Sequence, residues 1–287
     1  MTYNIHGMKV SVISTGTVRI RPEHVGPTDQ NTYVWLLLTA RQWTPPRPIN
    51  SYVIEHPEGV VLFDTGQDIA SVTDPAYFPG GPTGYIYNRL ARFDIEPDQT
   101  LTAGLGRLGL RGADVHTAII SHLHQDHIGG LGELSGSRIA ISDAEWQAMR
   151  KPFAASRGYL RTHIELPGLR WDRITAEPLG DPALAPFTTG HDIFGDGALI
   201  ALPTPGHTPG SLSLLVRQPG RPPLLMVGDL TYDADLLAAG HVPGVGEKSA
   251  MRRSVEQVNA LRRLHPDLVV LPAHDPGAAD RLTQAYA

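Results

Sequence analysis

The sequence predicts an α/β (α+β) chain in which two β-sheets pack together with helices outside. Three observations predict it. Short apolar runs bounded by turn residues recur along the chain, and helical periodicities lie between them. The order of those runs is the third, because strands crowd towards both ends instead of alternating regularly with helices.

Taken in order, Met8–Val12 and Thr17–Ile20 read as two opening strands. Ser51–Glu55 and Val60–Phe63 flank His56-Pro-Glu-Gly59 and predict a hairpin. Thr117–Ile120, Arg138–Ile141, Leu199–Leu202, Ser211–Val216, Leu224–Val227 and Leu268–Leu271 follow as further strands. Ser142-Asp-Ala-Glu145 has the form of a capping box opening a helix towards Lys151. Met251, Val255, Val258, Leu261 and Leu264 share one helical face, so an amphipathic helix is expected over 249–264.

The chain has 287 residues, 41% hydrophobic and 18% charged, which suits a globular enzyme with a large core. No long Gly/Ser linker, charge run or internal repeat divides it, so one domain over 1–287 is expected. Net charge is −5, and Lys9, Lys151 and Lys248 are the only lysines. That leaves no basic stripe for a phosphate backbone, and nucleic acid is not an expected partner. The start lacks the basic-then-apolar pattern of a secretory signal, and no run is long enough to span a membrane. With no cysteine there are no disulfides or thiolate metal sites, and a cytoplasmic location is expected. Any metal must sit on imidazole and carboxylate.

Four strands deliver such groups at their ends. Thr117–Ile120 runs into Ser121-His122-Leu-His124-Gln125-Asp126-His127, and Leu199–Leu202 into Pro203-Thr-Pro-Gly-His207. Leu224–Val227 leads to Gly228-Asp229, and Leu268–Leu271 to Pro272-Ala-His274. Loops at one rim of a rigid sheet are where α/β enzymes collect catalytic groups. His122 and His124 are two apart, so in extended chain they project to one side and can share a divalent ion. Asp126 and His127 follow at a turn and can face a second ion. His207 and His274 would complete the two centres, with Asp229 bridging them through its two oxygens. His6, His24, His56, His116, His163, His191, His241 and His265 have no ligand spacing and read as ordinary surface or packing residues.

His122-x-His124-x-Asp126-His127, Thr204-Pro-Gly-His207-Thr-Pro-Gly210, Gly228-Asp229 and His274 resemble the successive motifs of the metallo-β-lactamase superfamily. Val61-Leu-Phe-Asp64-Thr-Gly66 resembles its first motif, whose aspartate supports the site from behind the ligands. The resemblance is ordered over about residues 50–275 and implies an αββα sandwich with the site at one edge of both sheets. Asp229 sets the chain apart from true β-lactamases, which usually lack a bridging aspartate. Flavodiiron oxygen reductases resemble it but carry Glu where His124 stands. Glyoxalase II shares the ligands but binds glutathione through a basic C-terminal region, whereas the tail here has Arg281 alone.

The pattern is most similar to the N-acyl homoserine lactonases. Tyr232 stands three residues after Asp229, as does the lactonase tyrosine that contacts the lactone carbonyl. Residues 67–112 resemble the insertion that lactonases use around the acyl chain or at a dimer contact. Gln125 stands where many lactonases carry Phe, a departure that bears on acyl preference. Gln125, Phe78 and Tyr85 are the expected substrate contacts, with Tyr77, Tyr87 and Phe93 as further pocket candidates and Trp35 and Trp43 weaker ones.

The resemblance thus implies a two-metal hydrolase that opens a lactone ring by attack of a hydroxide shared between the ions. His122, His124 and His207 would hold one ion, Asp126, His127 and His274 the other, and Asp229 both. Asp126 would move the proton and Tyr232 would stabilise the oxyanion. Zinc is the expected metal, with cobalt, manganese and iron as alternatives. The expected partner is a small lactone, with no membrane and a homodimer as the assembly to look for. The alternative is another hydrolase on the same scaffold, acting on a different lactone or ester, a thioester or a phosphodiester.

Overall fold

A computed structural model describes residues 7–26, 38 and 40–286. His6 and Trp35 lie outside the described residues. The strands are β1 (Lys9–Ile20), β2 (Arg47–His56), β3 (Gly59–Phe63), β4 (Ala91–Asp94), β5 (Val115–Ile119), β6 (Arg138–Ser142), β7 (Arg170–Ile174), β8 (Glu177–Pro178), β9 (Thr189–Asp192), β10 (Leu199–Pro203), β11 (Leu212–Val216), β12 (Leu224–Gly228) and β13 (Val269–Pro272). Among the described residues they form two mixed sheets, ordered β4-β1-β2-β3-β5-β6-β7 and β13-β12-β11-β10-β9-β8.

The period of two in the apolar runs decides the layering. Val61 and Phe63 of β3, Leu199 and Ala201 of β10, and Leu224 and Met226 of β12 point between the sheets into one core. Their neighbours point outward. Leu62 meets Leu101 and Leu105 of the helix Leu101–Arg107. Ile200, Leu202, Leu225 and Val227 meet Met251, Val255, Val258 and Leu261 of the helix Lys248–Leu264. Strands buried on both faces read as continuous apolar runs rather than alternating ones. The result is helix, sheet, sheet, helix.

Three expectations change in detail. The two opening strands are one, because β1 continues through a register shift between Ser14 and Thr17 while staying paired with β2. Leu264, expected on the buried face of its helix, is 54% exposed in the last turn. The helix opened by Ser142 runs towards Lys151 as expected but ends at Met149. Ser142 caps it by accepting from the Glu145 N–H, but Glu145 does not return the bond. Its carboxylate goes to the site.

Strand direction sets where the site lies. β3 and β5 are parallel, so Phe63 and Ile119 end at one rim. β10 and β12 are each antiparallel to β11, and β12 is parallel to β13, so all three end at the same rim of the second sheet. The Leu212 N–H to Ser121 carbonyl bond (2.9 Å) and the Asn50 N–H to Ala273 carbonyl bond (3.0 Å) join the two rims. No helix among the described residues is long and apolar enough to cross a membrane.

Candidate metal centre

All seven expected ligands meet at this rim. β5 leads into His122 and His124, and the short helix Gln125–Ile128 turns Asp126 and His127 inward. His207, Asp229 and His274 arrive from the ends of β10, β12 and β13 on the opposite sheet. Gly129 lets the turn close, since a Cβ there would lie 2.1 Å from the Asp68 nitrogen.

Their donor atoms cluster as His122, His124 and His207; His122, His127 and Asp229; and Asp126, His127 and His274. Within each group the ligand atoms lie within 4.8 Å of one another. Asp229 spans the two ends. Its Oδ1 is 3.3 Å from both His127 Nε2 and His274 Nε2, and its Oδ2 is 3.5 Å from His207 Nε2. Asp126 Oδ2 lies 3.3 Å from His274 Nε2.

Three of these atoms test whether the pocket suits metal ions. His122 Nε2, His127 Nε2 and Asp229 Oδ1 are buried with no hydrogen-bond partner among the described residues. Orphaned buried polar atoms are costly unless something satisfies them. Lone pairs of two imidazoles and a carboxylate aimed at one point fit a divalent cation. The residues fit.

The electrostatics are those of a site waiting for positive charge. Burial and repulsion from His127, His124 and His207 hold His122 well below the ordinary imidazole value. Burial likewise lowers His207 to about 3. Burial also opposes charge on His127 and His274, but neighbouring carboxylates outweigh it and raise both. Asp126 is lowered to about 2, because the nearby His274 and His127 overcome the burial that would raise it.

Behind the ligands, Asp64 accepts from the Ser121 N–H (2.7 Å) and hydroxyl (2.8 Å), and from His127 Nδ1 (2.8 Å). It does so with φ of 60°, a conformation non-glycine residues rarely adopt. The His274 Nδ1 is 2.9 Å from the Pro48 carbonyl. Such contacts fix each tautomer and leave the other nitrogen for metal.

Glu145 and Arg47 went unforeseen. Glu145 is fully buried and accepts from the Leu123 N–H (3.1 Å) and the Gly210 N–H (3.0 Å). It therefore ties the loop of His122 and His124 to the loop of His207. Its signal was visible but consistent with a capping box. Arg47 donates to the carbonyls of Tyr232 (2.7 Å) and His274 (3.2 Å), a role with no sequence signature.

A cleft of about 720 Å³ opens onto this cluster. Tyr232 lies within it, buried, its hydroxyl donating to Asp229 Oδ2 at 3.0 Å. Gln125, Tyr87 and Phe93 also line it. Tyr85 does not: it is 55% exposed. On the helix Gly81–Leu90, positions two apart point about 200° apart, so Tyr87 facing the cleft turns Tyr85 to solvent. Phe78 also misses the cleft and instead stacks on Tyr87 (5.2 Å) and Phe93 (6.1 Å) from behind. Tyr77 packs on His163, and Trp43 lies between the guanidiniums of Arg21 and Arg92. His24, unremarkable in the sequence, is a buried cleft residue 6.5 Å from the Tyr232 ring, and burial lowers it to about 4.

The sequence profile of the Metallo-beta-lactamase superfamily matches residues 44–274. The N-acyl homoserine lactonase AttM of Rhizobium radiobacter is 32% identical over 233 residues, covering 80% of this chain and 83% of that one. An N-acyl homoserine lactonase of Bacillus sp is 31% identical over 185 residues, 64% of each chain. A Bacillus thuringiensis AiiA variant with N-decanoyl-L-homoserine bound superposes with a TM-score of 0.74 at 21% identity, covering 96% of this chain and 95% of that one. AidC, a dizinc quorum-quenching lactonase in complex with N-hexanoyl-L-homoserine, superposes at 0.60 and 17%, covering 96% and 90%.

Proposed function

Since this chain belongs to the metallo-β-lactamase superfamily, we propose that it hydrolyses the lactone ring of N-acyl homoserine lactones at a centre of two divalent metal ions. The observation that carries this is Asp229 placed between two groups of ligands, with the Tyr232 hydroxyl on one of its oxygens. The relatives named as lactonases support the substrate class.

His122, His124 and His207 would hold one ion, Asp126, His127 and His274 the other, with Asp229 shared. Zinc suits this imidazole and carboxylate set. Bound divalent ions would supply Lewis acidity at the carbonyl and lower the pKa of water. The chain's own residues do the rest. The Tyr232 hydroxyl, which donates to Asp229 Oδ2 in the free site, would turn its single proton from that carboxylate to the carbonyl oxygen as negative charge builds there. Asp126 is held as a carboxylate and reaches the cleft, so it takes the proton from the attacking water and returns it to the leaving alkoxide. Ile86, Leu90, Phe93 and Val245 offer an apolar wall for an acyl chain.

We read the chain as one domain, with 67–112 an insertion that builds this wall. The helix Gly81–Leu90 and the edge strand β4, paired with β1, support that.

The test is a panel of homoserine lactones, simple esters, thioesters and bis-p-nitrophenyl phosphate, run on metal-reconstituted protein before and after chelation. Ring opening of homoserine lactones that disappears with chelation and returns with zinc is expected. Turnover of the other substrates alone would overturn the lactone assignment.

A further inference from the structure

Between the helices Asp143–Met149 and Arg161–Ile164 the chain runs along the cleft in an irregular segment that helps to line it. Ala154–Arg157 is a single 3-10 turn, and left-handed residues bracket it: Phe153 (φ 59°) and Gly158 (φ 97°). Three side chains from outside reach its carbonyls. The Tyr87 hydroxyl donates to Ala155 O (3.0 Å), His124 Nε2 lies 3.1 Å from Arg157 O, and Gln125 Nε2 donates to Gly158 O (2.5 Å).

The imidazole bond has chemical consequences. With the proton on Nε2 and shared with a carbonyl, the Nδ1 lone pair of His124 faces the site, 3.0 Å from His207 Nε2. Gly158 presses on the same ring: a Cβ there would sit 2.2 Å from His124 Cδ2. Both that contact and its positive φ demand glycine.

His122, His127 and His274 are backed differently. Ser121, Asp64 and the Pro48 carbonyl stand behind them, each in a strand or within two residues of a strand's end. His124 takes its partner from an irregular segment that itself needs fastening.

We propose that Phe153–Tyr159 is a strap that sets the orientation of His124, and that Gln125 and Tyr87 lock the strap in place. This rests on His124 being a metal ligand. Gln125 and Tyr87 also line the cleft, so the groups that meet an acyl chain are the groups that hold the strap. Gln125, standing where a Phe is common in lactonases, is then a positioning residue: its amide supplies a donor that an aromatic ring lacks.

The test compares full-length wild-type protein with Gln125→Leu and Tyr87→Phe, the latter losing a single hydroxyl. Hydrogen exchange of amides 154–159 is read by mass spectrometry, and cobalt affinity by chelator competition. Both variants should exchange about fivefold to tenfold faster in the strap, with the helix 248–264 unchanged. Both should bind one of two cobalt ions about tenfold to a hundredfold more weakly. Unchanged strap exchange in both variants, or a loosened strap with two undiminished cobalt sites, overturns the proposal. Wild-type protein that takes up no cobalt overturns instead the ligand assignment beneath it. Neither readout uses a substrate, so neither depends on the lactone.

Discussion

The floor and the wall of the cleft are built in different ways. The floor is assembled from strand ends: β5, β10, β12 and β13 each stop at one rim and hand over a His or Asp. The wall comes from the helix Gly81–Leu90, the strap over His124, the short helix Pro22–Val25 that carries His24, and the loop that carries Val245. Floor residues are fixed by ladders and by buried partners such as Asp64 and Glu145. Wall residues are held by single bonds to backbone carbonyls. The proposed chemistry would therefore rest mainly on ladder-held strand ends, and substrate selection on elements held by single bonds.

Substitutions should separate the two. The largest effect is expected from Asp126→Asn on the floor, which removes the proposed proton carrier and exchanges one oxygen of a candidate metal ligand for an amide nitrogen. A fall in kcat of about 10²–10⁴-fold is expected by steady-state kinetics with metal in excess. Tyr232→Phe, at the junction of floor and wall, should lower kcat about 10²-fold with KM little changed. A loss confined to KM would move Tyr232 from floor to wall.

Glu145→Ala tests whether the floor is also structural. It strands two buried N–H groups, and urea unfolding should show a loss of about 2–5 kcal/mol. A neutral result would mean the ligand loops hold together without it.

His24 offers a pH test of the wall. Its folded pKa of about 4 lies below the ordinary imidazole value of 6.5, so the unfolded chain binds the extra proton as pH falls between them. Its contribution is full above about 6.5 and declines towards pH 4, by up to about 3 kcal/mol. Unfolding of His24→Gln at pH 7 and pH 5 should show a shallower decline than wild type. Equal slopes would show that His24 does not set the acid limit.

The smallest change is expected from Leu90→Ala. It should lower kcat/KM for long-chain lactones by about tenfold or less and leave short chains unaffected. An equal loss for both would mean that the wall does not sort chains.

The same division explains what could be read in advance. The floor was legible because a buried strand followed by His or Asp in a Gly- or Pro-rich loop leaves a local signal. The seven candidate ligands carry one, whereas Asp64 and Tyr232 were legible only through the resemblance to the family's motifs. The wall was not. Tyr85 and Tyr87 are equal as composition, and only the phase of the helix separates them. β4, β7 and the paired β8 and β9 are short and polar, with burial too incomplete to mark them as strands. Glu145 was noticed for its spacing from Ser142, but a capping box and a bridge between loops share that spacing. Contacts made across long sequence separations, such as Arg47 with Tyr232 and His274, have no period to betray them.

One feature of the floor bears on the lifetime of the protein. The ligand groups draw on both sheets: His122, His124, Asp126 and His127 from one, His207, Asp229 and His274 from the other. Each bound ion would act as a clasp across the sandwich, worth about 2.7 kcal/mol when free metal is a hundredfold above its Kd. Losing an ion would let the two halves part more readily, exposing apolar strands to proteases and to one another. Cellular abundance of this enzyme would then follow metal supply, and scarcity would remove the protein as well as silence it.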